Sequence, residues 1–320
     1  MMSLRLFAAA ALCAAAPLAA QEALTAPGPE GDLAGTLTAP QEGQPLILII
    51  PGSGPTDRDG NNPMGVTAAP YRLLSEALAS RGIGTVRIDK RGMFASKAAA
   101  ADPFAVTIAD YVHDTRAWIA AARAATERDC IWLAGHSEGG VVALAAAQEA
   151  QGLCGVVLLA APGRKLADIL REQLRANPAN AVLLDEALAA IDRLEAGETV
   201  DTAGMHPALM PLFGPRVQPF VIDLMRYDPP ALAAELAVPL LIVQGGKDLQ
   251  ITLADAEALH AAAQDAGYAI LPDMNHVLKD VEGTGPQANL AAYGDASLPV
   301  SPALVDTIAA FVAPAAEDER

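Results

Sequence analysis

Aromatic residues make up only 4% of this 320-residue chain and charged residues only 18%, against 52% hydrophobic. So few rings exclude a core built on aromatic stacking, and the interior has to be packed from Ala, Leu, Val and Ile. That apolar content also excludes disorder as the global state. Positive charge is scarce: 21 Lys and Arg stand against 38 Asp and Glu, a net charge of −17. No basic stretch offsets it, which argues against nucleic acid and anionic membrane surfaces as partners. Long hydrophobic runs are missing beyond residue 20, and no later stretch reaches the roughly 18 apolar residues that span a bilayer. Cysteine is confined to Cys13, Cys130 and Cys154.

The first 20 residues read as a signal peptide. Met1 to Arg5 is a short positive start, Leu6 to Ala16 an apolar run too short to span a bilayer, and Pro17 to Ala20 a small-residue region suited to cleavage. Export to the periplasm or the medium is the expectation. Cys13 follows Leu12 directly, which does not suit a lipoprotein acceptor. Cleavage leaves Cys130 and Cys154, an even pair bound for an oxidising compartment. Two small buried hydrophobes are the plainer reading of that pair.

Short apolar runs recur at Leu46–Ile50, Gly84–Ile88, Ile131–Ala134, Val156–Ala160, Leu240–Val243 and Tyr268–Leu271. Each is stopped by glycine, proline or a polar turn, as strands buried on both faces are. Helical patterns lie between them around Tyr71–Ala79, Ile108–Ile119, Val141–Ala150, Ala254–Ala266 and Val305–Val312. The alternation predicts right-handed βαβ units, an α/β fold with a mostly parallel central sheet flanked by helices. Leu33–Thr38 belongs to an N-terminal hairpin or meander. Residues 163–235 separate two strands by more than one crossover helix needs. With helices expected at Lys165–Ala176, Ala181–Glu195 and Val217–Met225, and a loop from Gly204 to Pro215, this stretch reads as an inserted helical cap. The core is then 21–162 and 236–316.

The two mature cysteines each precede a strand of one βαβ unit. Parallel neighbours start at the same sheet edge about 4.8 Å apart, so a Cys130–Cys154 disulfide is geometrically feasible.

The motif that carries chemistry is Gly135-His136-Ser137-Glu138-Gly139. It stands where a strand gives way to a helix, and a G-x-S-x-G turn there exposes the serine hydroxyl at the sheet's carboxyl edge. Serine needs a base, and the base an orienting group. Asp248 ends the strand Leu240–Val243 after a glycine turn. His276 follows the last strand within Pro272-Asp273-Met274-Asn275-His276. The order Ser137, Asp248, His276 is that of this turn type. Asp255 and Asp273 are alternative acids. His113 and His260 fall on helical patterns, His206 in the cap, and His136 beside the serine, where a structural hydrogen bond is expected. An oxyanion needs backbone donors: the N–H of Glu138, and one from Pro51-Gly52-Ser53-Gly54-Pro55, with Ser53 first and Gly54 second.

Taken together, the segments Pro51–Asn61, Asp89-Lys90-Arg91-Gly92, Gly135–Gly140, Gln244–Gln250 and Met274-Asn275-His276 resemble the α/β-hydrolase superfamily. Within it the chain is similar to bacterial esterases related to serine aminopeptidase-like hydrolases. The resemblance covers roughly residues 30–313 in family order. It implies hydrolysis of a small-molecule carboxylic ester without metal or organic cofactor. Two departures stand out: Pro51-Gly52 replaces a frequent His-Gly, and Met93-Phe94-Ala95-Ser96 replaces a Gly-x-Ser continuation. Asp57, Arg58 and Asp59 read as loop-bracing ion pairs. The cap side chains Leu209, Met210, Leu212, Phe213, Phe220 and Met225 either wall an acyl pocket or glue the cap to the sheet. A peptidase or amidase uses the same triad. A catalytically silent binding protein is disfavoured by the filled triad positions, and a dehalogenase by serine at the nucleophile position.

Overall fold

The computed structural model describes residues 20–283 and 285–313, so nearly all of the expected signal peptide, with Cys13, lies outside the described residues. Eight strands form one sheet in the order β1-β2-β4-β3-β5-β6-β7-β8. They are β1 (Gln21–Ala26), β2 (Leu33–Thr38), β3 (Leu46–Ile50), β4 (Gly84–Ile88), β5 (Ile131–His136), β6 (Leu153–Leu159), β7 (Leu240–Gly245) and β8 (Gly267–Leu271). β1 and β2 run antiparallel at one edge, and β3 to β8 are parallel.

Continuous apolar strands need cover on both faces, because successive side chains point to opposite sides of the pleat. Leu46, Leu48 and Ile50 of β3 enter one core with Leu133, Val156 and Leu158. Ile47 and Ile49 enter the other with Ala134, Val157 and Leu159. The first core is covered by α2 (Ile108–Thr126) and α3 (Glu138–Ala147), the second by α1 (Pro70–Ala79). Few rings take part: Trp118, Tyr71 and Phe213 are the largest of the fully buried side chains.

Between β6 and β7 the chain adds α4 (Leu166–Ala176), α5 (Leu184–Glu195), α6 (Met210–Phe213), α7 (Gln218–Met225) and α8 (Pro229–Ala234). The loop expected from Gly204 to Pro215 therefore holds a short helix, and α8 follows Asp228, whose side chain caps it by accepting from Ala231 N–H. This insertion has its own small core of Ala187, Ile191, Leu194, Leu209 and Phe213. After β7 come α9 (Leu253–Ala262), α10 (Pro286–Ala291) and α11 (Pro302–Val312). α9 stops four residues short of the expected Ala266, because Ala263 to Ala266 turn the chain into β8. None of the helices among the described residues is long and apolar enough to cross a membrane.

Cys130 and Cys154 form a disulfide at the amino-terminal ends of β5 and β6, their Cα atoms 5.2 Å apart. It lies at the sheet edge opposite Ser137, which follows β5. The bridged positions are 24 residues apart, and closing such a loop stabilises the fold by about 3 kcal/mol in the chain-entropy model. The chain from Gln21 onward, denatured without reductant, is expected to titrate no free thiol. Replacing both cysteines by alanine should lower the unfolding free energy by about that amount. Two titratable thiols would contradict the bridge.

Candidate active site

Three loops converge at the carboxyl ends of the parallel strands. The first is the bend at Ser137, between β5 and α3. Ser137 has φ 53° and ψ −126°, a left-sided backbone that side-chain-bearing residues rarely adopt. The bend is tolerated because glycine lets the chain pass close by. A Cβ on Gly139 would collide with the Ile50 carbonyl oxygen, and one on Gly52 would come 3.2 Å from Ser137 Cβ. Ser137 is half-buried, its side chain reaching two cavities described below. The N–H of Glu138, first residue of α3, is free of intrahelical bonding, as helix amino termini are.

The second loop, after β7, carries Asp248, and the third, after β8, carries His276. His276 Nδ1 lies 2.7 Å from Asp248 Oδ2, and both side chains are almost fully buried. Asp248 Oδ1 accepts from the N–H groups of Gln250 at 2.7 Å and Ile251 at 3.0 Å. Burial pushes the Asp248 carboxyl up, but the His276 ring and these amides outweigh it and hold it below the ordinary carboxylate range. With Nδ1 engaged, His276 presents Nε2 to the cavity it shares with Ser137. Among the described residues no hydrogen bond joins Ser137 Oγ to that ring.

The other candidate acids and histidines are engaged elsewhere. Asp255 binds the Arg164 guanidinium at 2.9 Å and closes the capping box of α9; Asp273 pairs with Lys247 at 2.8 Å. His113 and His206 are exposed, and His260 stacks on Tyr268. Arg58 bonds Asp89 at 2.6 Å and Asp59 pairs with Arg87, so this charged loop is braced to β4 and its end.

His136 is buried and ties the Ser137 bend to the loop after β8 and, through Tyr71, to the loop after β3. Its Nε2 lies 2.8 Å from the His276 carbonyl oxygen, and its Nδ1 lies 2.7 Å from Tyr71 Oη. A carbonyl only accepts, so Nε2 carries the proton and Nδ1 accepts from the tyrosine hydroxyl. Tyr71 Oη in turn accepts from Gly52 N–H at 3.0 Å. Burial, and then the neighbouring His276, push the His136 pKa down to about 3, so the ring stays neutral.

Lys90, at the end of β4, was part of a recognised motif but not singled out by sequence reasoning. Its ammonium is buried, donates to the Gly52 carbonyl at 2.7 Å and lies 3.6 Å from Glu138 Oε1. Burial pushes the Lys90 pKa down, opposed by the Glu138 charge. The carbonyl of Gly52 and the N–H of Ser53 belong to one planar trans peptide and point in opposite directions. By holding the carbonyl inward, Lys90 turns the Ser53 N–H outward. That N–H has no hydrogen-bond partner among the described residues.

This geometry can now be set beside known proteins. A family model described as serine aminopeptidase, S33, matches residues 64–208. Est1E from Butyrivibrio proteoclasticus superposes with a TM-score of 0.55 at 17% identity, over 91% of this chain and 99% of that one. A thermophilic esterase from Thermogutta terrifontis gives 0.54 at 19%, over 92% and 100%.

The chain has the α/β-hydrolase fold.

Esterase EstD of Thermotoga maritima is 26% identical over 262 residues, 78% of this chain and 59% of that relative. The chain thus spans about three-fifths of the length of the curated relative it matches.

Two cavities meet at Ser137. One of about 150 Å³ runs under the insertion and is lined by Val141, Leu166, Ile169, Leu170 and Leu224, among others. Its wall comes from α4 and α7. Of the side chains expected there, Leu209, Phe213 and Met225 are buried in the insertion's own core, Met210 and Leu212 pack against it, and Phe220 packs on the sheet core. The other cavity, about 380 Å³, contains His276 and opens beside Asn62 and Met64.

Removing one partner of a buried ion pair leaves an uncompensated charge and costs about 3–5 kcal/mol, whereas removing both costs much less. Lys90→Met is expected to lower stability by about that amount, and Lys90→Met with Glu138→Leu to recover part of it. Urea denaturation of the wild type, both single variants and the pair measures the coupling. Additive losses would contradict the pairing.

Proposed function

We propose that the protein is a serine carboxylic ester hydrolase working through Ser137, His276 and Asp248. The observation that carries this reading is the strained serine bend sharing a cavity with an imidazole whose other nitrogen is held by a buried carboxylate. The esterase name of the relative EstD favours esters over amides.

His276 Nε2 takes the Ser137 hydroxyl proton as Oγ attacks the ester carbonyl. Asp248 holds the imidazole in the required tautomer and stabilises its charged form. The carbonyl oxygen becomes an oxyanion held by the Glu138 and Ser53 N–H groups, the latter aimed by Lys90. Collapse releases the alcohol, protonated by His276, and leaves an acyl-serine. Water activated by the same histidine then releases the acid. The insertion acts as a cap that closes the acyl side from solvent. We also propose that the protein is exported; the Cys130–Cys154 bridge suits an oxidising compartment, and recovery from the cytoplasm with Met1 intact would contradict it.

Ser137→Ala should keep the wild-type thermal midpoint while kcat on p-nitrophenyl butanoate falls by about 10⁴-fold or more, as when a nucleophile is removed. Wild-type protein should cleave that ester well and the corresponding aminoacyl anilide poorly. Unchanged turnover by the alanine variant would end the serine assignment; the reverse order of substrates would make the protein an amidase.

A further inference from the structure

The two cavities that meet at Ser137 differ in what they can hold and in which catalytic group they contain. Ser53, Ser137 and Gln250 line both, so a molecule lying across the serine enters each of them. His276 lines only the larger one. Glu138, whose N–H faces the oxyanion, lines only the smaller one.

Proton bookkeeping assigns a direction. When the tetrahedral adduct collapses, the bond between the acyl carbon and the alkoxy oxygen breaks. The proton that His276 removed from Ser137 goes to that oxygen. The leaving group must therefore sit on the side where His276 is, in the larger cavity. The acyl carbon stays bonded to Ser137 Oγ, so its chain extends into the other cavity, beneath α4 and α7.

The chemistry of the walls matches this division. The smaller cavity is faced by Val141, Ile169, Leu170 and Leu224. Its one cation, Arg164, is already bound by Asp255 and Glu172, leaving no free charge to greet a carboxylate or phosphate. At about 150 Å³ it has the size of a cavity that accepts benzene. The larger cavity has no Asp, Glu, Lys or Arg in its lining, although the chain as a whole carries −17. Its polar side chains include Thr56 and Asn62, bonded to each other and to their own loop, and Gln250 and Tyr293. Gln250 Nε2 donates to Tyr293 Oη at 2.9 Å, which leaves the glutamine carbonyl and the tyrosine O–H for a ligand. Burial pushes the Tyr293 pKa up to about 12, so that O–H is kept across the working pH range.

Resting on the ester-hydrolase reading above, we infer that the substrate is an ester of a short apolar acid with a larger, uncharged, hydroxyl-bearing alcohol such as a monosaccharide, the acid seated under the cap and the alcohol beside His276. The two sides are read independently, so each can be varied while the other is fixed.

The test is kcat/KM of the full chain on two ester series. Along acetate, butanoate, hexanoate and decanoate of one alcohol, activity is expected to hold to hexanoate and then fall about tenfold or more, the scale of misfit in an apolar pocket. Along acetyl esters of ethanol, methyl glucoside and choline, the glucoside is expected to lead by about tenfold. Ile169→Trp should move the acyl optimum to acetate without changing the ratios among the alcohols. Tyr293→Phe should shrink the glucoside preference without changing the acyl order. Decanoate cleaved as fast as butanoate, ethyl or choline acetate matching the glucoside, or Ile169→Trp altering the alcohol series instead, would each overturn the seating. A wild-type protein that cleaves no member of either series would overturn the ester-hydrolase reading and the seating with it.

Discussion

One neutral imidazole holds the catalytic edge of this protein together. His136 donates from Nε2 to the His276 carbonyl and accepts at Nδ1 from Tyr71, whose oxygen accepts from Gly52 N–H. Every proton in that chain has one place, because it begins and ends on backbone groups that can act in only one way. The Gly52 loop and the His276 loop are thereby fixed to the residue before Ser137. Burial keeps the ring uncharged, which the chain requires, since an imidazolium could not accept from tyrosine.

Lys90 works on the same loop from the opposite side. Between Tyr71 on the Gly52 N–H and Lys90 on the Gly52 carbonyl, both faces of that glycine are held. Its neighbour's N–H is left without a partner among the described residues, available to the oxyanion proposed at Ser137. A buried lysine beside a buried glutamate is poor evidence of stability in itself. Here the pair connects the two segments whose amides face the cavity, and orientation is the gain.

Much of this was legible in the residues. The strands β3, β4 and β8 fall within a residue of their expected places because uninterrupted apolar runs bounded by Pro51-Gly52 or a glycine turn have few alternatives. The Ser137, Asp248 and His276 positions follow from where β5, β7 and β8 end. What was not legible depends on distance in space. Nothing local marks Tyr71 as reaching His136 across 65 residues, or Lys90 as reaching back 38 residues to Gly52. The roles of the cap side chains stayed open for a related reason. Composition does not separate a pocket wall from packing, and the insertion is large enough to need its own core and buries Leu209 and Phe213 there. The cavity wall is left to α4 and α7, with Ile169, Leu170 and Leu224.

The proposed mechanism requires Ser137 Oγ to be the atom that is acylated. Treating the folded protein with a fluorophosphonate and mapping the adduct by peptide mass spectrometry tests it most directly. A single adduct per chain on Ser137, prevented by prior denaturation, is the predicted result. A stoichiometric adduct on another residue, or an intact Ser137 peptide after prolonged exposure, would contradict it.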